Sequence, residues 1–121
     1  MKFIIKENQL EKVSAKKKAL ILSKLFDSFY PNLSQSEVTR DEIDIKDDVS
    51  DELIFYYRPR SGEFFVSSHI LQKLYENTGL PFLNYETVKT NKRQEFDEII
   101  KEFAKHHFGF NNVEDVYFHW H

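Results

Sequence analysis

Cysteine is absent from the 121 residues, and glycine and proline occur only three times each. The first absence excludes disulfides, thiolate metal sites and a cysteine nucleophile, and it fits a reducing compartment. The scarcity of Gly and Pro excludes a loop-rich or low-complexity chain, because few positions are free to reverse the backbone. No apolar run approaches the roughly 20 residues of a membrane-spanning helix, and the apolar stretch of the opening MKFIIKENQL is too short for a signal peptide. The expectation is a soluble chain that neither spans a membrane nor is secreted through a signal peptide. Catalytic signatures are missing as well: there is no glycine-rich phosphate loop, no Gly-x-Ser-x-Gly elbow and no His-Glu-x-x-His.

What the chain has is rings. Twelve Phe and six Tyr in a sequence that is 40% hydrophobic predict one packed domain over residues 1–121, burying roughly two-thirds of the surface the unfolded chain exposes. Its net charge of −3 is segregated. Residues 1–26 hold seven Lys against two Glu, residues 27–52 nine acids against two bases, residues 53–93 six bases against three acids, and residues 94–121 six acids against two bases. Alternating blocks favour pairing within or between molecules over a uniform basic face, so nucleic acid is not the expected partner, although Lys16, Lys17 and Lys18 form a local cationic cluster.

Phe3, Ile4 and Ile5 form a short β-prone run, and Asn8 with Glu11 has the form of a capping box opening a helical turn through Leu10 and Val13. Leu22, Leu25, Phe26 and Phe29 carry helical spacing up to Pro31. The stretch of about 32–52 is polar and acidic, which predicts a mobile surface connection with room for a short strand around Ile43 and Ile45. In ELIFYYRPRSGEFFVSS, two aromatic runs flank Pro59 and Gly62, the pattern of a β-hairpin. Ser67 or Ser68 then caps a helix bearing Ile70, Leu71, Leu74 and Tyr75, ended by Asn77, Gly79 and Pro81. LPFLNYETVKT reads either as a linker or as a helical turn. The next helix has Asn91 and Gln94 as capping box, a stripe of Phe96, Ile99, Ile100, Phe103 and His107, and Gly109 as its stop. A strand closes the chain, with Val116, Phe118 and Trp120 on one side and Tyr117, His119 and His121 on the other. The order predicts an α+β domain: an antiparallel sheet of about four strands with a central hairpin and helices mostly on one face.

Both faces of the hairpin strands carry rings, whereas a sheet with one wet face alternates apolar with polar side chains. This points to an aromatic face of Tyr56, Phe65, Tyr117 and His119, open to a protein partner or to a second copy, unless the acidic connection or a helix folds over it. A second candidate surface is the acidic segment, through Asp44, Asp47, Asp48 and Asp51. A third candidate is metal: His119 and His121 lie two apart on a strand, with His107, Glu114 or Asp115 as the candidate third ligand for a zinc ion. The ordinary reading of His106 and His107 is interaction with the helix dipole. Asp44 and Lys46 alone do not make a nuclease motif, and the segment lacks the glycine and ligand spacing of an EF-hand. No nucleophile can be paired with a base, so the expectation is a non-enzymatic protein.

MKFIIKENQLEKV resembles the opening of small uncharacterised proteins of tailed bacteriophages: Met-Lys, a β-branched or aromatic run, a polar cap, then Gln-Leu. FDEIIKEFAKHHFG and the closing aromatic strand are similar to the back half of such proteins. The chain departs from them at Lys6, where a Thr is usual, moving the cap to Asn8. The resemblance implies a viral origin and a location in the host cytoplasm or the virion, and it assigns no active-site residue. Two functions are expected from the sequence: a binding protein that contacts a host or viral protein, or a structural subunit packing against copies of itself.

Overall fold

The computed structural model describes the backbone of residues 7–90 and 93–119, with side chains from Ala15 to Lys89 and from Arg93 to His119. The predicted strand at Phe3–Ile5, the cap at Asn91, Trp120 and His121 lie outside the described residues. Helix α1 (Glu7–Phe29) is followed by strands β1 (Leu33–Thr39), β2 (Glu42–Asp47), β3 (Glu52–Arg58) and β4 (Glu63–Ser67). Helix α2 (Ser68–Thr78), a 3₁₀ turn (Pro81–Leu83), helices α3 (Tyr85–Thr90) and α4 (Arg93–Phe108), and strand β5 (Asp115–His119) follow among the described residues.

The strands form one sheet in the order β1-β2-β3-β4-β5. The first three pairings are antiparallel, and β5 joins β4 in parallel. Five strands in a mixed sheet thus replace the four antiparallel ones expected. The reason is topological: the chain between β4 and β5 is helical and crosses over the sheet, which returns it in the same direction.

Segment 32–52 is also not a bare connection but the hairpin β1–β2 with the turn into β3. Only Ile43 and Ile45 signal strand in its sequence, because β1 has its last five residues exposed and so carries no alternation. The acids fasten it. Asp47 accepts from the Val49 backbone at 3.4 Å and from Ser50 Oγ at 2.9 Å, and Ser34 Oγ donates to Asp48 at 2.6 Å. Asp51 adopts φ +59°, the left-handed conformation an aspartate tolerates in a turn.

Helix α1 is continuous where two pieces were expected. Ala15, Ala19, Leu22 and Phe26 are buried at helical spacing, and no residue between Val13 and Leu22 breaks the helix. The stripe turns away by Phe29, which is 46% exposed. Lys18 pairs with Glu95, and Phe26 meets Phe103 at 5.3 Å, so α1 and α4 run side by side in the same sense. In α2 the Ser67 side chain accepts from Ile70 N, and Gly79 at φ +68° closes the helix. The ambiguous LPFLNYETVKT is helical because Leu83 and Val88 are buried under the crossover.

One core joins the helices to one sheet face, with Phe26, Phe55, Phe64, Phe96 and Phe103 all fully buried. A bulge in β3 solves the puzzle of its continuous apolar run. Ile45 pairs with Phe55 but Lys46 with Leu53, leaving Ile54 as the extra residue. Ile54 and Phe55 can therefore both be buried although adjacent.

Candidate functional site

Cross-strand register sorts the side chains by face. Ile45, Phe55 and Val66 align on the helix-covered side, as do Tyr57, Phe64 and Val116. On the opposite side Ser36, Asp44, Tyr56, Phe65 and Tyr117 form a single row across all five strands. None of Tyr56, Phe65 and Tyr117 packs against the helix-side core. Tyr56 and Phe65 stack with centroids 4.1 Å apart and planes 10° apart, and Tyr117 continues the stack at 5.3 Å from Phe65. His119 lies 5.2 Å from Tyr56 and is 9% exposed. The structure thus brings together the four residues expected to form an aromatic face, with Tyr117 the most accessible ring at 40%.

Arg58 was not anticipated there. Its guanidinium sits 5.2 Å from the Phe65 ring centre and 5.8 Å from that of Tyr56, held 3.7 Å from both Glu42 and Glu63. Desolvation pushes the Glu42 carboxyl above its usual value, the neighbouring Asp44 adds to this, and Arg58 opposes it. Burial likewise raises the Tyr56 hydroxyl, so this face presents a neutral phenol at neutral pH. By register the face carries Glu42, Asp44, Glu63 and Asp115 against Lys46 and Arg58, an acidic balance around an aromatic strip. Arg58 escapes sequence reasoning because its position at the end of a strand does not reveal which ring it will cover.

The acidic segment divides. Asp44 belongs to the open face, whereas Asp47, at 9% exposure, is spent on its own turn and is not a free contact. Asp48 and Asp51 remain at the surface beside β1, Asp51 within 3.9 Å of Lys46.

His107 and His119 do not converge. His107 lies on the helix side, its Nδ1 2.5 Å from Ser23 Oγ and its ring stacked on Phe103, whereas His119 lies on the open face. The sheet separates the two, so they cannot share an ion. Among the described residues no group of three or more His, Asp or Glu is placed to hold a metal.

Two arrangements not foreseen involve chemistry-bearing residues. Ser23, His107 and Asp27 line up, with His107 Nε2 3.9 Å from the Asp27 carboxylate. Ser23 is 7% exposed, and the trio ties α1 to α4. A cavity of about 250 Å³ opens between α1, α3 and α4, lined by Phe82, Val88, Phe96 and Ile99 with the Lys18–Glu95 pair at its side. Four segments build it, and no single stretch of sequence announces it.

Neither protein-family models, curated proteins nor solved structures match the chain. The reading of its function therefore rests on the faces themselves. No helix among the described residues is long and apolar enough to cross a membrane.

Proposed function

We propose that the chain is a small non-enzymatic protein-binding domain that docks a host or viral protein on its open sheet face. The observation that carries this reading is the continuous stack of Tyr56, Phe65 and Tyr117, built in register on three strands and left out of the core. Such a strip offers rigid, amphipathic contact area at low entropic cost, the composition that dominates interface energetics. The acidic groups around it favour a partner presenting Lys or Arg beside apolar side chains. The resemblance of the opening segment to phage proteins is the basis for a phage-encoded protein acting in the host cytoplasm or in the virion.

The test is capture from the cells that produce the protein, run in parallel with Tyr117→Ala and Phe65→Ser. A single companion in comparable amount, lost with both variants while their folds persist, supports the reading. A companion retained by both variants removes the aromatic face from it.

Self-association is the second reading, favoured by the position of Tyr117, the accessible end of a ring stack that a second copy would bury. Light scattering over a range of concentrations separates the two, since only the structural-subunit reading predicts a mass that rises with concentration and falls for Tyr117→Ala.

A further inference from the structure

The two edges of the sheet are not equivalent. At β5 the outward backbone is capped at Val116, whose carbonyl accepts from Arg93, and the helix layer reaches this strand, Val116 being 2% exposed. At β1 no comparable cover is present among the described residues. Among the described residues the strand pairs with β2 alone, and Gln35 through Thr39 are exposed, so the helix layer stops short of it. Natural edge strands are usually blunted by lysine, proline or brevity. Here LSQSEVT is seven residues long with no Lys and no Pro, and its one charge is Glu37. The register shift between Glu37 and Thr39 disturbs only the far end, leaving Leu33–Glu37 regular.

We propose that this edge accepts an extended, Lys- or Arg-bearing segment of a protein partner as a sixth strand. Backbone hydrogen bonds to β1 supply the pairing, as in other strand-addition complexes. Charge selects the occupant. Residues 33–51 hold seven acids against Arg40 and Lys46, and with Arg58 and Arg60 paired to Glu42 and Asp41 the ribbon is still acidic. A second copy would bring another such ribbon of the same sign alongside, which opposes self-pairing, whereas a basic strand meets Glu37 and the surrounding carboxylates with opposite sign. The proposal rests on the protein-binding reading but uses a surface other than the aromatic stack.

The test is amide hydrogen exchange of the intact protein with a nine-residue unstructured peptide alternating Lys with Thr and Val. With peptide at about ten times its dissociation constant, the outward amides of β1 are expected to exchange about tenfold more slowly. The same peptide N-methylated at alternate positions should lose the effect in one of the two methylation phases, since only one peptide edge faces β1. A Glu-for-Lys peptide and the Glu37→Lys protein should both bind more weakly. Unchanged exchange over residues 33–39 at saturating peptide, or equal activity of both methylated phases, overturns the proposal. Tyr117→Ala separates the two surfaces: β1 protection is expected to survive it, and protection that disappears with Tyr117 also overturns the edge as the site.

Discussion

Tyr56 and Phe65 face each other directly across the β3–β4 pairing, 4.1 Å between ring centres, on the side of the sheet that the helices leave open. A stacked pair in a partly exposed position contributes about 0.5–1.5 kcal/mol beyond its buried area. A double-mutant cycle with Tyr56→Leu and Phe65→Leu, read by urea unfolding, should return a coupling of that size. Additive losses would mean that the rings lie near one another without interacting.

Tyr117 separates recognition from stability. Because its ring is the accessible end of the stack, Tyr117→Ala should change unfolding free energy by no more than about 0.5–1 kcal/mol. Affinity for the captured partner should fall by about 2 kcal/mol, the scale of an interface anchor. Calorimetric titration checks the second figure and denaturant unfolding the first.

Gly62 ends the β3–β4 turn at φ +74°, and its carbonyl accepts from Glu114 N at 2.8 Å. A Cβ there would stand 2.6 Å from Glu114 Cγ and 2.9 Å from the Asn112 carbonyl oxygen. Gly62→Ala should therefore destabilise by about 1–3 kcal/mol through strain and displacement. Adding Glu114→Ala should recover only part of this, since the Asn112 backbone cannot be trimmed. Full recovery would show that the side-chain clash is the whole cost.

His107 gives the fold a pH dependence of defined sign. Burial holds its imidazole below the ordinary value of 6.5, with Asp27 pulling upward and His106 adding to the depression. The unfolded chain then binds a proton more readily than the folded one, so the stability associated with neutral His107 is complete above pH 6.5. It is lost as pH falls from 6.5 through the lower folded value. Urea midpoints measured between about pH 5 and 8 should show this slope, and His107→Gln should flatten it. A slope unchanged in the variant would assign the effect to another group.

Asp47 and Asp48 should behave differently despite being neighbours in an acidic run. Asp47→Ala removes the acceptor for Val49 N and Ser50 Oγ and should cost about 1–2 kcal/mol, whereas Asp48→Ala loses one exposed bond from Ser34 and should cost less. Thermal unfolding of the two variants gives the comparison.

The hairpin, the capping serine at Ser67 and the core stripe of α4 were legible because each is written locally, in turn residues and periodicity. The aromatic face was legible for a related reason: strand alternation places Tyr56, Phe65 and Tyr117 on one side once their strands are neighbours. Strand β2 was signalled by Ile43 and Ile45, but β1 was hidden because an exposed edge strand fastened by polar contacts has no apolar alternation to display. The parallel pairing of β5 was hidden because direction depends on the path of the whole crossover. The separation of His107 from His119 follows from that same path, and spacing along the chain carries no trace of it.

The parallel strand also gives the aromatic stack a temporal character. Tyr56 and Phe65 meet through a short hairpin, but Tyr117 can join them only after α2, α3 and α4 have returned the chain to β4. Contacts so distant along the sequence form late and at high entropic cost. A partner that reads all three rings would therefore ignore nascent and half-folded chains, and the stack would serve as a certificate of completed folding.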